Sequence, residues 1–252
     1  KRMIVEKIVV FGPVEDAGMK LVEQEQKFDN YRLRLVHLQG SDVYVDVGGH
    51  VGVPILLAMK HHATLHVVCM EALPENYFFI RWNLLANNFL DAASRVTVLN
   101  KAVSGESGDM IRVHYMPAAT TSSGSFKDST ALKFQGAVAH DVETISLHDI
   151  IAKYTQGRRV AIFKLDCEGC EWAAISALSN EDFAYLSGGK IIGELHMFPD
   201  CTKRNWRSLS PWCDTQFARR TCGGASKMAA CCKTFSRMCQ PRPLIEGCEV
   251  VY

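Results

Sequence analysis

The sequence predicts an α/β protein with a mostly parallel central sheet, helices on both of its faces, and a cysteine-rich C-terminal appendage. Two observations predict the sheet. Short apolar, β-branched runs alternate with segments of helical spacing, the pattern of strands joined by crossover helices. The first buried run ends in an acid followed by three glycines, "VDVGGHVG". The appendage is predicted by the cysteines. Cys69, Cys167 and Cys170 lie in the first 200 residues, whereas seven more crowd the last 52. A length of 252 residues suits one α/β domain with additions. We divide the chain into an N-terminal extension (1–40), an α/β domain (41–197) and the cysteine-rich segment (198–252).

Residues 43–47 (VYVDV) read as a buried strand, being short, β-branched and nearly all apolar. Residues 53–62 read as a helix, with Pro54 tolerated in its first turn. "LHVVCME", 65–71, is the second strand. Residues 74–88 form a helix that opens on Pro74 and repeats apolar residues every three or four positions. Its aromatics Tyr77, Phe78, Phe79 and Trp82 are expected to pack in the core. "RVTVLN", 95–100, is the third strand. Two more exposed strands, 109–115 and 141–147, bracket a segment rich in small polar residues, 116–130, which reads as a mobile loop. A short helix at 147–154 leads to the buried strand 160–166, a helix from about 170 to 178, and a last strand at 190–196.

Composition narrows the function. Hydrophobic content of 48% and charged content of 22% are those of a soluble globular protein. A net charge of +1 argues against a polyanion-binding surface, so no nucleic-acid partner is expected. No apolar run is long enough to span a bilayer. No signal peptide is visible, and a chain opening on Lys1 is expected to be a fragment or a processed form.

In a sheet of this kind, ligands sit beyond the carboxyl ends of the strands where strand order reverses. Gly48, Gly49 and Gly52 lie just past such an end, before the N-terminus of a helix. That geometry suits a phosphate. However, the spacing is not that of a dinucleotide fingerprint, no phosphate-binding lysine follows, and Asp46 at the entrance is a poor neighbour for a polyanion. Glu71 ends the second strand, where a nucleoside-binding sheet places an acid against ribose hydroxyls. Hydrogen bonds to such a charged group contribute roughly 1.5–3 kcal/mol. The glycine turn, Asp46 and Glu71 together suggest S-adenosylmethionine, a nucleoside with a sulfonium and an amino-acid head but no phosphate.

"IFKLDCEGCEW", 162–172, resembles the K-x-D-x-E-G-x-E signature of FkbM-type methyltransferases. "VDVGGHVG" is similar to that family's D-x-G-A-x-x-G turn. "CMEALPENYFFIRWNLLANN" resembles its segment with an acid, a proline and asparagines, here Glu71, Pro74, Asn76, Asn83 and Asn87. "LNKAVSGESG" is similar to its A-[VL]-S-x-x-x-G turn, which implies Ala102 at the cofactor. "VETISLHDI" and "IIGELH" match two further segments. The departures are Gly49 for alanine, expected to be harmless, and His148 for aspartate, with cysteines at 167 and 170. The resemblance covers about residues 40–197. It implies a Rossmann-like class I methyltransferase fold and methyl transfer from S-adenosylmethionine, usually to an oxygen of a small molecule or a sugar.

Methyl transfer is an in-line displacement, and holding donor and acceptor in line supplies roughly 7–11 kcal/mol of the barrier reduction. Asp166, at the carboxyl end of a central strand, and Glu168, two residues on, are the candidate general bases. A divalent ion at these acids is conceivable but otherwise unsupported. Lys164 pairs with an acid or orients the acceptor, and Glu194 and His196 are second candidates for acid–base work or acceptor binding. The competing reading makes Lys164, Glu171 and one acid a structural charge cluster.

Cys167 and Cys170 could form a redox pair, but the acids around them raise thiol pKa values, and a bland substitution is expected. His61, His62 and His66 read as ordinary helix-end residues rather than a metal site. The cysteine-rich tail is expected to hold disulfides rather than zinc, which favours a secretory-pathway or extracellular compartment over the cytoplasm. The acceptor is expected to be a small molecule or glycan. The alternatives are methylation of nitrogen or of a macromolecule, and a catalytically silent paralogue that binds cofactor or glycan.

Overall fold

In the computed structural model, β1 (Arg2–Val5) and β2 (Ile8–Phe11) pair antiparallel, with Lys7 left-handed at φ 69° between them. The structure describes residues 2–5, 7–14, 16, 18–20, 31, 33–89, 95–124, 136–186 and 188–193. Glu194, His196, residues 125–130 of the small-residue segment and the cysteine-rich segment from 198 lie outside the described residues.

The hairpin docks on a helix. Asn83 accepts from Phe11 N through Oδ1 at 2.6 Å, and its Nδ2 donates to Phe11 O at 2.8 Å. Asn87 does the same to Val9, at 2.8 and 2.7 Å. Residues four apart on a helix share a face, as do residues two apart on a strand. Two side-chain amides therefore take the place of a neighbouring strand along one edge of β2.

The central sheet contains β3 (Val43–Val47), β4 (His66–Met70), β5 (Val96–Leu99), β10 (Val160–Leu165) and β11 (Lys190–Gly193). Its order is β11-β10-β3-β4-β5, and every pairing is parallel. The chain runs outward from β3 to β5 and returns on the other side of β3 as β10. The order therefore reverses between β3 and β10, which is the ligand position in a doubly wound fold. The register pairs Asp46 with Lys164 and Val47 with Leu165.

Alternation along β3 builds two apolar layers. Val43, Val45 and Val47 join Phe163, Leu165 and Ile191 on one face, while Tyr44 joins Ile162, Val67 and Cys69 on the other. The first layer is covered by α3 (Leu147–Tyr154), α4 (Glu171–Ser176) and α5 (Asn180–Leu186). The second is covered by α1 (Val53–His61), α2 (Pro74–Ala86) and the hairpin. Each buried aliphatic side chain contributes about 1.5–3 kcal/mol. That total lets the same two strands carry a buried Asp46 and Lys164. Pro54 and Pro74 sit in the first turns of α1 and α2, and Ser146 caps α3 by accepting from Asp149 N at 3.1 Å.

A second sheet holds β6 (Ala102–Ser104), β7 (Met110–Met116), β8 (Ala119–Gly124) and β9 (Val138–Ser146), in the order β6-β9-β7-β8. The start of the small-residue segment is thus strand β8, paired to β7, and not a loop.

The aromatics of α2 differ from expectation. Phe78 and Trp82 are 56% and 45% exposed and stack on each other with centroids 6.1 Å apart. The buried face of α2 is instead Asn76, Ile80, Asn83 and Leu84. Of these, Asn83 bonds the hairpin, so Phe78 and Trp82 turn outward, while Phe79 packs partly buried against the core as expected.

Candidate active site

The glycine turn follows β3 and is tied to the tip of β4, where Met70 O accepts from Gly48 N at 3.0 Å and Gly49 N at 3.1 Å. Gly48 has φ 83°, and a Cβ there would overlap the carbonyl of Asp166. The turn therefore closes directly on the end of β10. A Cβ on Gly49 would overlap Cys69 Sγ. The glycine that stands where alanine was usual is the space that Cys69 occupies.

Glu71 lies one residue past β4 and is 6% exposed. Its Oε2 accepts from His50 N at 2.8 Å, and its Oε1 accepts from Leu73 N at 2.9 Å and from Asn76 Nδ2 at 3.5 Å. Asn100 holds the backbone below it, donating to Glu71 O and Ala72 O at 2.9 and 3.0 Å. Burial pushes the Glu71 carboxyl above its usual range, opposed by the N–H groups of Leu73 and His50. The amide oxygen of Asn76 is buried and has no hydrogen-bond partner among the described residues.

Lys164 is 3% exposed. Its Nζ donates to Gly48 O at 2.8 Å and lies 3.2 Å from Asp46 Oδ1 and 3.6 Å from Asp166 Oδ2. Burial alone would lower its pKa, but the carboxylates of Asp46 and Asp166 outweigh burial and hold the ammonium charged. Asp46 is fully buried, and among the described residues neither of its oxygens accepts a well-aligned hydrogen bond, so Lys164 pairs with it as a charge. Burial raises the Asp46 carboxyl against the pull of Lys164.

Asp166 is the accessible acid of this group, with its side chain 22% exposed. Tyr31 Oη donates to its Oδ2 at 2.9 Å, and the Tyr31 ring lies 5.8 Å from Lys164 Nζ. Glu168 follows in a tight turn, left-handed at φ 56° and partly buried. Glu171 is buried at the start of α4, and its Oε1 accepts from Cys167 N at 2.9 Å. A disulfide between Cys167 and Cys170 closes the turn. This corrects the reading of the two cysteines as bland substitutions. The turn brings their Cα atoms to 5.5 Å, within bonding range, and neighbouring acids slow thiol chemistry without changing that geometry.

The structure thus gathers Asp46, Gly48, Gly49, Gly52, Glu71, Lys164, Asp166 and Glu168 around adjoining strand tips. Ala102 is buried in a small cluster with Leu73, Val113 and Val142, beside the loop that carries Glu71. Among the described residues, no group of three or more His, Cys, Asp or Glu could hold a metal ion. Sequence reasoning missed Tyr31, His50, Asp16 and Thr120. His50 sat in plain view inside the glycine motif, but nothing local marks the other three.

Comparison with known proteins agrees with the motifs. The methyltransferase sdnD of Sordaria araneosa is 24% identical over 176 residues, spanning 61% of this chain and 67% of that protein. Methyltransferase FkbM from Methylobacillus flagellatus overlays with a TM-score of 0.36 at 18% identity, covering 56% of this chain and 29% of that one. The present chain therefore spans under a third of that structure. Precorrin-6y C5,15-methyltransferase from Geobacter metallireducens overlays with a TM-score of 0.34 at 15% identity, covering 65% and 59% of the two chains. The methyltransferase FkbM domain family matches residues 46–217, more than half of the sequence. The chain belongs to the FkbM methyltransferase family.

Proposed function

We propose that the chain methylates a hydroxyl oxygen of a small molecule or a sugar, with S-adenosylmethionine as donor. The observation that carries this reading is the placement of Glu71. Its two oxygens are aimed by the N–H groups of His50 and Leu73 at the tip of a strand beside the glycine turn. An acid so held suits the hydroxyls of a ribose. The orphaned amide oxygen of Asn76, in contact with Glu71, offers a further acceptor for a nucleoside donor. Charge supports the same ligand. Asp46 and Asp166 face one buried cation, Lys164, and Glu71 adds a third carboxyl past the next strand, so the site favours a cation and disfavours a pyrophosphate. S-adenosylmethionine would supply a methyl group on positively charged sulfur.

Asp166 is the proposed general base, because it is the acid that a hydroxyl in the cleft can reach. Tyr31 and Lys164 fix its orientation. Lys164 keeps its proton, so its role is to anchor Asp46, Asp166 and the Gly48 carbonyl rather than to exchange protons. Glu168, at the turn beyond Asp166, is the second acid available to the acceptor. The Cys167–Cys170 bond supports placing the protein in an oxidising compartment.

The test is binding of S-adenosylhomocysteine, followed by thermal shift. We expect a clear shift in the wild type and a loss of about 1.5–3 kcal/mol of binding free energy in Glu71→Ala. An equal shift for NAD, or an unchanged shift in the variant, would overturn the reading.

A further inference from the structure

His50 stands between two sets of contacts. Its backbone N–H donates to Glu71 Oε2 at 2.8 Å, and its φ of 49° is a left-handed conformation unusual for a residue with a side chain. Such backbone is strained and persists only where its surroundings hold it. The surroundings lie on the ring side. Nε2 is 2.9 Å from Thr120 Oγ1 and 3.3 Å from Asp16 Oδ2. The Thr120 hydroxyl donates to that same Asp16 oxygen, and Asp16 Oδ1 accepts from Gly18 N at 2.8 Å. Because the single hydroxyl proton of Thr120 goes to Asp16, its oxygen accepts from His50, which places a hydrogen on Nε2.

Asp16 and Thr120 are 3% and 2% exposed. A buried carboxylate needs such partners. Burial pushes the Asp16 carboxyl up, yet the bonds from His50, Thr120 and Gly18 outweigh it and hold the group below its usual range. The three residues come from the N-terminal segment, the glycine turn and β8, separated in sequence by 34 and 70 positions. Met19, next to this network, is fully buried in the same apolar layer as α1 and α2.

We propose that His50 is a positioning residue that couples occupancy of the Glu71 end of the cleft to docking of two segments on its ring, the N-terminal segment at Asp16 and strand β8 at Thr120. A ligand that draws on Glu71 bears on the His50 backbone, and the His50 ring passes that constraint to both segments. Coupling of this kind is reciprocal, so loosening the ring contacts weakens the ligand by the same factor by which the ligand tightens the contacts. The proposal rests on the reading of Glu71 as a ribose anchor.

Hydrogen exchange on the full chain, with and without S-adenosylhomocysteine, tests it. In the wild type, binding is expected to slow exchange about fivefold or more in peptides containing Gly18 and Thr120. Thr120→Val, which keeps the shape and removes the hydroxyl, should bind about five- to tenfold more weakly and lose the slowing at Gly18. Thr120→Ser should retain both, a rescue that a purely packing role for Thr120 does not predict. His50→Ala should behave as Thr120→Val does. Wild-type binding without slowed exchange at Gly18 and Thr120 overturns the proposal while leaving the cofactor reading intact, as does wild-type affinity and slowing in Thr120→Val. Failure of the wild type to bind S-adenosylhomocysteine removes both.

Discussion

At the tip of β4, Glu71 is held by backbone N–H groups two residues away and in the adjoining glycine turn. At the tip of β10, Asp166 is held by Tyr31, 135 residues distant in sequence, and by the Lys164 side chain. A backbone N–H is present whatever side chain its residue carries, proline excepted, whereas a side-chain donor is lost when its residue is replaced. On the proposed reading, the cofactor side of the cleft therefore takes its shortest contacts to Glu71 from the main chain. On the same reading, the acceptor side depends on two side chains, Lys164 and the sequence-distant Tyr31.

The largest expected effect sharpens this division. Asp166→Asn should lower methyl transfer by about 10²–10⁴-fold while leaving S-adenosylhomocysteine binding unchanged, as measured with a labelled donor against an acceptor found by screening. Turnover at the wild-type rate would move the base elsewhere. Lys164→Met strikes the junction of the two sides by leaving Asp46 buried and unpaired, and denaturant unfolding should show a loss of about 3–5 kcal/mol. The sign with pH follows from the ammonium being held above its ordinary value. A raised lysine pKa contributes stability that is fully present below about 10.4 and is lost as pH rises through the folded value. The Lys164 contribution itself is therefore constant from about pH 7 to 9, whereas Asp46, released in Lys164→Met from the cation that holds it down, takes up a proton more readily, so the loss in the variant should shrink as pH falls.

Gly49→Ala probes the cofactor side alone. It should cost about 1–3 kcal/mol through overlap with Cys69, and Cys69→Ala should restore most of that in the double variant. Additive losses would show that the turn, not the sulfur, excludes the methyl group. Tyr31→Phe should have the smallest effect, about 1 kcal/mol of stability, because Asp166 is partly exposed and can take a water in place of the phenol. A lower turnover with unchanged cofactor affinity in that variant would confirm that Tyr31 serves only the acceptor side.

Much of the fold was legible because its signals are local. The strands at 43–47 and 160–165 are apolar runs each broken by one charge, Asp46 or Lys164, and helix 147–154 carries its own Ser146 cap. The turn chemistry of Gly48 and Gly52 and the acid at 71 are likewise read within a few residues. The hairpin at 2–11 was missed because its partner edge is two asparagine side chains more than 70 residues away. The orientation of Phe78 and Trp82 was misjudged for the same reason. Apolar spacing marks a helix face but does not say that polar residues will claim the inner one.

The sequence alone determined the alternating order of strands and helices, the place of the glycine turn, and which acids sit at strand ends. Each of these follows from short-range sterics and from periodic burial. Tertiary structure alone decided that Tyr31 meets Asp166, that Asp16, His50 and Thr120 form one network, and that Cys167 bonds Cys170 across the turn. Those contacts are single polar or sulfur pairings. They have no period along the chain, and only the packing of the whole domain brings their members within reach.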